Sequence, residues 1–238
     1  MPESPAPRRL AVLIDADNAS PAIAPDLLKE IAKIGDASVR RIYGDFSGTS
    51  NAGWTKILHE HAIIPQMNVA NTRGKNASDI AMVIDAMDLM HSGRLDGFCI
   101  VSSDGDFTRL AARLREEGLA VFGLGERKTP ESFRNACQRF IYTENLGVDV
   151  DDDEPETAAK PKKGEPPSKA VPLIRSALNL IESEDGWYHL GGIGSTLMQI
   201  APDFDTRTYG CAKLSTLIEK SGAFEMKKVN THFHVRRR

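Results

Sequence analysis

One stretch of nine residues decides the fold class: LAVLIDADN, residues 10–18. Its first five residues, 10–14, form a short apolar run that is typical of a strand buried on both faces. Polar residues follow where this strand ends, and Ser20 and Pro21 then provide a favourable N-cap and first residue for a helix. The stretch therefore predicts a buried strand, a polar loop and a helix in succession.

The same alternation of strand and helix continues along the first 146 residues. Further strands are predicted near residues 39–43, 63–69, 97–102 and 119–124, and helices near residues 21–34, 52–61, 78–91 and 107–117. Such alternation implies right-handed crossovers and a mainly parallel sheet with helices on both faces. The sequence therefore predicts an α/β fold class. Ligands of such sheets bind beyond the carboxyl ends of the strands, which is where we look for chemistry.

Composition divides the chain into two domains. Residues 147–169 are acidic, rich in proline and almost free of large apolar side chains, so they cannot bury enough surface to offset their ordering entropy. We expect a flexible linker there, between a domain of residues 1–146 and a domain of residues 170–238. The first domain carries 17 Lys/Arg and 19 Asp/Glu, whereas residues 169–238 carry 10 and 7. The net positive charge therefore lies at the C-terminal end.

The 238-residue chain shows no sequence signal for export or membrane insertion. Its first ten residues lack the apolar core of a signal peptide, and no apolar run approaches the roughly 18 residues of a membrane span. Cys99, Cys137 and Cys211 lie far apart and form no C-x-x-C pair, which favours reduced thiols over disulfides or a zinc site. We expect a cytoplasmic protein with no membrane partner, and the sequence indicates no particular oligomeric state.

Aspartates stand where two of the predicted strands end and where one predicted helix begins. Asp15 and Asp104 follow apolar strands, and Asp79 opens a strongly apolar helix. Carboxylates about 4 Å apart repel by roughly 4 kcal/mol at an effective dielectric constant of about 20, so a cluster of them requires a cation or protons. Oxygen ligands suit Mg²⁺ or Mn²⁺, and the scarcity of nearby His and Cys argues against Zn²⁺. Such a site hydrolyses phosphoesters by activating a bound water and neutralising charge.

Asp85 lies on the same predicted helix as Asp79. At about 100° per residue its side chain is turned about 120° away, so the two carboxylates cannot both point squarely at one ion. We expect Asp79 to be the ligand, and the role of Asp85 stays open. A single aspartate in any of these positions is often only a helix cap or a turn former. The prediction of a metal site therefore depends on the combination of aspartates.

Residues 9–146 carry three motifs: IDADN at 14–18, KNASDIAMVIDAMDL at 75–89 and VSSDGDFTRL at 101–110. In these motifs and their order the segment resembles the LabA-like NYN domains of the PIN-like nuclease superfamily. The resemblance implies a metal-dependent endoribonuclease with a parallel sheet and Mg²⁺ or Mn²⁺ as cofactor. The metal-binding and catalytic aspartates that it implies are Asp15, Asp79, Asp104 and Asp106. It also implies that Asn18 belongs to the catalytic site and orients the metal's water or a phosphate.

Three other functions compete with this interpretation. An apolar strand followed by Asp-x-Asp also opens the haloacid-dehalogenase-like phosphatases, but these need an acid where this chain has Leu110, four residues after Asp106, and usually Thr or Val where it has Ala19. A non-catalytic RNA-binding or regulatory adaptor with the same fold remains open, as does a phosphoesterase acting on DNA. The aspartates favour the enzyme, because a scaffold has no evident reason to keep carboxylates that repel one another.

An acidic site needs positive charge near it to attract a polyanion. Arg73 and Lys75 lie in the loop directly before Asp79 and are the substrate-binding residues that we expect in the first domain. Arg127 and Lys128 offer a second pair behind the last predicted strand. Either pair is placed to contact phosphates.

The pattern of the last domain predicts a small winged helix. Helices are predicted near residues 171–181, 193–200 and 208–220, and a hairpin over residues 224–228 and 231–235. The stretches GWYHLGGIGSTL and KLSTLIEKSGAFEM resemble a LOTUS or OST-HTH domain, which implies RNA binding or, alternatively, a protein partner. The third helix or the wing of such domains usually contacts nucleic acid. The RNA-binding residues expected here are Lys213, Lys227 and Lys228, with Lys220 and residues 236–238 on the same basic surface.

Overall fold

The structure is a computed structural model. It describes residues 6–46, 51–67, 77–147, 164–183 and 185–238. The chain divides into two compact units, residues 1–146 and residues 147–238. Most of the linker predicted at residues 147–169 falls outside the described residues and stays a prediction. The substrate-binding pair Arg73 and Lys75 also falls outside them.

A parallel sheet forms the middle layer of the first unit. Its strands are β1 (Arg9–Asp15), β2 (Asp36–Gly44), β3 (Ile64–Met67), β4 (Gly97–Val101), β5 (Ala120–Gly125) and β6 (Arg139–Tyr142). Within the described residues these six strands lie in the order β3-β2-β1-β4-β5-β6. Every neighbouring pair is parallel, as the alternation of strand and helix predicts.

Helices cover both faces of this sheet. They are α1 (Ala24–Ala32), α2 (Ala52–Glu60), α3 (Ala77–His91), α4 (Thr108–Glu116) and α5 (Glu131–Ala136). Leu27 of α1 and Trp54 of α2 share one apolar core on the sheet. Met82 of α3, Leu110 of α4 and Phe133 of α5 share the core on the opposite face. The predicted α/β fold class is therefore confirmed.

The central strand β1 contributes to both cores. Its apolar residues are fully buried, and successive side chains point to opposite faces. Leu10, Val12 and Ile14 join the core beneath α1 and α2. Ala11 and Leu13 join the core beneath α3, α4 and α5. Burial on both faces is the reason why this strand is an unbroken apolar run in the sequence.

The strand order changes direction between β1 and β4. The chain leaves β1 towards β2 and β3, and it returns to the other side of β1 as β4. Ile14 and Val101 pair directly, so the loops that follow both strands emerge side by side. At such a switch point the loops open a crevice in which sheets of this type bind their ligands.

The sequence pattern does not predict two elements of the first unit, α5 and β6. The helix has six residues and the strand four, and neither is long enough for an apolar period to stand out. The strand is nevertheless buried, with Phe140 in one core and Ile141 in the other, because it pairs along β5. Tertiary pairing therefore defines β6 more than its own sequence does.

The second unit packs helices against a small antiparallel sheet. Its elements are α6 (Val171–Leu178), β7 (Tyr188–His189), α7 (Leu190–Ile200), α8 (Leu214–Ser221), β8 (Phe224–Val229) and β9 (His232–Arg237). The strands lie in the order β7-β9-β8. Ile174, Leu197, Leu217 and Val235 belong to one buried core. The predicted C-terminal helical domain with a hairpin is confirmed.

The third helix of this unit begins later than predicted. The pattern predicts a helix near residues 208–220, whereas the structure has a 3-10 turn at Thr206–Tyr209 and begins α8 at Leu214. Gly210, with a φ of 66°, ends the turn in a left-handed conformation that favours glycine. Lys213 therefore becomes the N-cap residue of α8. No helix in the described ranges combines the length and apolar character that crossing a bilayer requires.

Candidate active site

Asp15 ends β1, and only 2% of its surface is exposed. Its Oδ1 accepts hydrogen bonds from the backbone N–H of Asp17 at 3.0 Å and of Asn18 at 3.3 Å. Its Oδ2 accepts from the Asn18 side-chain amide at 2.8 Å and from the Ser102 hydroxyl at 2.7 Å. Burial raises the pKa of Asp15, and the hydrogen bonds from Ser102 and Asn18 oppose that rise. These donors use the acceptor capacity of both oxygens, so an ion bound here must replace one of them.

Ser102 connects the loops that follow β1 and β4. Only 1% of its surface is exposed, and its hydroxyl donates to Asp15 while accepting a hydrogen bond from the backbone N–H of Asp104 at 3.0 Å. The next residue, Ser103, accepts from the backbone N–H of Glu126 at 2.9 Å and so reaches the end of β5. Sequence reasoning missed both serines, although they stand directly before the predicted aspartate turn.

Asp104 and Asp106 lie in the turn after β4. Asp104 is the N-cap of the 3-10 turn Gly105–Phe107, and its Oδ1 accepts from the backbone N–H of Asp106 at 2.9 Å. Asp106 is exposed, and Asp104 is half-buried. The buried Phe107 anchors the turn in the core beneath α4. Both acids therefore stand on a fixed turn at the carboxyl edge of the sheet.

Asp79 lies in the first turn of α3, where the charges of other aspartates act on its carboxyl group. Burial is the largest cause that raises the pKa of Asp79 to about 6, and the charges of Asp15, Asp104, Asp17 and Asp106 add to it in that order. Charges act on one another in this way only when they lie near each other. The charges of the other three aspartates that the sequence predicts, Asp15, Asp104 and Asp106, therefore act on Asp79.

Asp17 is a fifth member of this acidic cluster, and sequence reasoning did not select it. It is exposed, its charge raises the pKa of Asp79, and its Oδ2 accepts a hydrogen bond from the Ser78 hydroxyl at 3.3 Å. This contact joins the loop after β1 to the beginning of α3. The signal was present in the sequence as the second aspartate of Asp-Ala-Asp-Asn.

Asp85 lies away from the acidic cluster and binds the sheet. Its Oδ1 accepts a hydrogen bond from the Arg41 guanidinium, with which Asp85 also forms an ion pair. Its Oδ2 accepts a hydrogen bond from the Tyr43 hydroxyl. Both partners belong to β2. Burial, and then the hydrogen bond to Asp85, raise the pKa of Tyr43 well above its usual range, so this hydroxyl stays a donor. Asp85 therefore fixes α3 on the sheet, in agreement with its helical phase relative to Asp79.

The acidic cluster offers carboxylate oxygens as donors. The described part of the chain contains no group of three or more His, Cys, Asp or Glu side chains that could hold a metal ion. The carboxylates nevertheless repel one another around Asp79, and a cation relieves that repulsion. Mg²⁺ usually keeps several waters and binds through one or two carboxylates without an all-protein cage. The oxygen donors therefore suit Mg²⁺ or Mn²⁺ better than Zn²⁺, which favours nitrogen and sulfur.

A small pocket adjoins Asp15 at the carboxyl ends of β1, β4 and β5. Its polar lining includes Asn18, Ser102, Ser103, Glu126 and Thr143. Asn18 thus faces the pocket while its amide nitrogen donates to Asp15. Convergent amide, hydroxyl and carboxylate groups of this kind can orient a polar ligand beside the acidic cluster.

Arg127 and Lys128, the second pair of cations that the sequence offers for phosphates, directly follow the end of β5. Arg127 and Lys128 are both exposed. The Arg127 guanidinium lies 5.8 Å from the centroid of the Tyr142 ring, and Lys128 pairs with Glu126 at 3.0 Å. Since Glu126 also lines the pocket, these side chains stand close to the acidic cluster.

The three lysines predicted to bind RNA in the second unit are exposed and lie on different elements. Lys213 caps α8, whereas Lys227 and Lys228 are neighbours on β8. The Lys227 ammonium lies 4.0 Å from the centroid of the Trp187 ring, and the Lys228 ammonium lies 5.7 Å from that of Phe233. Because neighbouring residues of a strand point to opposite faces, Lys227 and Lys228 do not share one binding surface.

A parallel sheet with aspartates meeting at its switch point defines the first unit as a PIN-like nuclease fold. The chain belongs to the NYN domain family, whose family model matches residues 9–146. An OST-HTH/LOTUS domain matches residues 165–235, and domains of this kind bind RNA. The predicted pair of families is confirmed, in the predicted order.

Two solved structures resemble parts of the chain. The match with a protein of unknown function from Vibrio parahaemolyticus spans 58% of this chain and 94% of that protein's chain, with 17% identity and a TM-score of 0.50. The match with an uncharacterized protein from Nitrosomonas europaea spans 37% of this chain and 88% of that protein's chain, with 27% identity and a TM-score of 0.30. The first likeness shows a shared fold. No curated protein matches the chain.

Proposed function

We propose that the protein is an endoribonuclease that hydrolyses RNA phosphodiester bonds with Mg²⁺ or Mn²⁺, and that its C-terminal domain binds the RNA. One observation carries the proposal: hydrogen bonds through Ser102 and Ser78 connect Asp15, Asp17, Asp104 and the first turn of α3, which carries Asp79, at the carboxyl ends of β1 and β4. Such a concentration of negative charge attracts a divalent cation and has no evident use in a scaffold. Membership of the NYN domain family supports the same chemistry.

Asp79, Asp104 and Asp106 are the residues that would hold the ion, with Asp15 as a fourth ligand after exchange of one hydrogen bond. When bound, the ion lowers the pKa of a water and neutralises charge on the phosphate. Asn18 and Ser102 keep the Asp15 carboxylate in one orientation. Ser102 also holds the backbone of Asp104, so the two loops stay at a fixed separation.

Purified full-length protein tests the proposal on single-stranded RNA labelled at both ends, with Mg²⁺, with Mn²⁺ or with EDTA. We expect cuts inside the strand with either metal and none with EDTA. Asp104→Asn should lose cleavage by about a hundredfold or more, since charge stabilisation of the transition state is a large term. Asp26→Asn is the matched control, because Asp26 lies on the outer surface of α1 and pairs with Lys29.

The alternatives give different results in this assay. RNA that is bound but left intact under all metal conditions would indicate the adaptor, and preferential cutting of DNA would indicate a phosphoesterase acting on DNA. Equal activity of Asp104→Asn and wild type would overturn the proposed metal site.

We also propose that the protein works in the cytoplasm. Cys99, Cys137 and Cys211 are buried, and burial raises the pKa of the Cys99 and Cys137 thiols to about 12. Thiols in this state suit a reducing compartment.

A further inference from the structure

The second unit exposes one face of its three-stranded sheet. Residues paired across an antiparallel ladder share a face, and successive residues of a strand alternate between faces. Met226 and its partner Val235 face the apolar core. The pairs next to this one along the ladder, Lys227 with His234 and Glu225 with Arg236, therefore lie on the opposite side, which we name the outer sheet face. Its aromatic and basic members are Trp187, His189, Lys227, His232, His234 and Arg236.

Three histidines form a continuous aromatic surface on the outer sheet face. The ring centroid of His189 lies 4.9 Å from that of His232 and 5.3 Å from that of His234. His189 and His232 are exposed, and His234 is half-buried. Nδ1 of His234 is enclosed and has no hydrogen-bond partner among the residues that the structure describes. An enclosed polar atom without a partner costs free energy.

Trp187 holds two cations beside these histidines. The Lys227 ammonium lies 4.0 Å from the centroid of the Trp187 ring, and the Arg236 guanidinium lies 4.7 Å from it. Arg236 also pairs with Glu225 on the neighbouring strand. Lys227 and Arg236 therefore outweigh the charge of Glu225, and the outer sheet face combines aromatic rings with positive charge.

We propose that the outer sheet face is the RNA-binding site of the second domain and that it takes single-stranded RNA. Proteins bind single strands by stacking unpaired bases on aromatic rings and by holding phosphates with cations, and this face offers both. The helix that a winged helix commonly uses, α8, carries Lys220 beside Glu219 and has no aromatic ring. The proposal rests on the RNA-binding part of the proposed function and is independent of cleavage.

Fluorescence anisotropy of the full chain in EDTA, with a labelled oligouridine of about 12 nucleotides, tests this proposal. The test variant is His189→Asn/His232→Thr. Nδ1 of His189 accepts from the backbone N–H of Gly191 at 3.3 Å and caps α7, and asparagine keeps that capping role. The matched control is Lys169→Ala, an exposed cation before α6 that pairs with Glu165. Lys220→Ala tests α8 as the alternative binding element.

We expect the double variant to bind about tenfold or more weakly. Lys169→Ala should stay within about twofold of wild type, since a single exposed cation contributes little. Unchanged far-ultraviolet circular dichroism and thermal unfolding check that each variant is folded.

Wild-type affinity in the double variant would overturn the proposal and leave the outer sheet face to a protein partner. A large loss in Lys220→Ala with none in the double variant would overturn it in favour of α8. EDTA separates this test from the nuclease test, because failure here leaves cleavage by the first domain untouched, and an inactive Asp104→Asn leaves RNA binding intact.

Discussion

At Asp79, burial and the charges of four other aspartates raise the carboxyl pKa to about 6, from a usual value of 3.8. A carboxyl whose pKa is higher in the folded than in the unfolded protein stabilises the fold fully below its unfolded pKa. That contribution is lost as the pH rises from about 4 through about 6. We therefore expect Asp79→Asn to be more stable than wild type at about pH 7.5 without divalent ions, and this difference to vanish near pH 4.

Thermal unfolding in EDTA, followed by circular dichroism across this pH range, measures the effect. The expected gain in Tm of Asp79→Asn near neutral pH is a few degrees, on the order of 2–5 °C. Asp88→Asn is the matched control on the same helix, since Asp88 is exposed there. Added Mg²⁺ should then raise the Tm of wild type more than that of Asp79→Asn. A variant no more stable than wild type near neutral pH would contradict the mutual repulsion inferred here.

Ser102 supplies a second prediction for a single residue. Ser102→Ala removes a donor from the buried Asp15 carboxylate and an acceptor from the Asp104 backbone. We expect a loss of about 1–3 kcal/mol in the free energy of unfolding, because buried polar groups lose their partners. Cleavage should fall while RNA affinity stays unchanged. Urea unfolding and cleavage rates measure the two effects.

Ser38→Ala is the control for that experiment. The Ser38 hydroxyl also donates to an aspartate, Asp36, but at an exposed position. It should change the stability by less than about 0.5 kcal/mol. Equal effects of the two substitutions would show that the contact between Ser102 and Asp15 does not position the site.

The site residues that could be predicted from the sequence differ physically from the site residue that could not. Asp15, Asp79 and Asp104 could be predicted because each stands at the end of a strand or the start of a helix, where the fold class itself directs attention. Ser102 could not, because its role depends on a contact with Asp15 across 87 positions of the chain. A serine before an aspartate turn has no local pattern that distinguishes a bridge between loops from an ordinary turn residue.

At the scale of elements, α3 is held on β2 by the contacts of Asp85 with Arg41 and Tyr43. Asp85→Asn leaves the shape of the side chain but removes its charge, so we expect a loss of about 1–3 kcal/mol in stability. The rise in Tm caused by Mg²⁺ should persist, because Asp79 still faces the acidic cluster. Thermal and urea unfolding with and without Mg²⁺ measure both quantities. Loss of the Mg²⁺ effect in Asp85→Asn, but not in Asp88→Asn, would instead make Asp85 a ligand.

A helix or strand could be predicted from the sequence to the extent that its own residue pattern accounts for its burial. The apolar run of β1 predicts a strand because both of its faces are buried. The four residues of β6 do not, because their burial depends on pairing with β5. The predicted beginning of α8 was wrong because the apolar spacing continues through Gly210, whose left-handed backbone breaks the helix. A local sequence pattern predicts the period of a helix or strand more reliably than the residues at which it begins and ends.

At the scale of the whole molecule, charge is divided between the two units. The acidic cluster of the first unit repels a polyanion unless a cation is present, whereas residues 169–238 carry an excess of Lys and Arg. This division suits an enzyme whose affinity for RNA and whose chemistry reside in different domains. It also explains why a net charge of -3 for the whole chain says little about RNA binding.

Removal of residues 147–238 tests this division, since the first unit has cores of its own. We expect the remaining domain to bind RNA more weakly and with a shallower salt dependence, because each lost phosphate contact reduces the slope of log K against log salt by about 0.7 for single strands. Binding titrations of both forms in EDTA over a range of KCl concentrations measure the slopes. Residues 147–238 alone should keep most of the affinity. Equal affinity and equal slope for the first domain and the full chain would place RNA binding in the first domain.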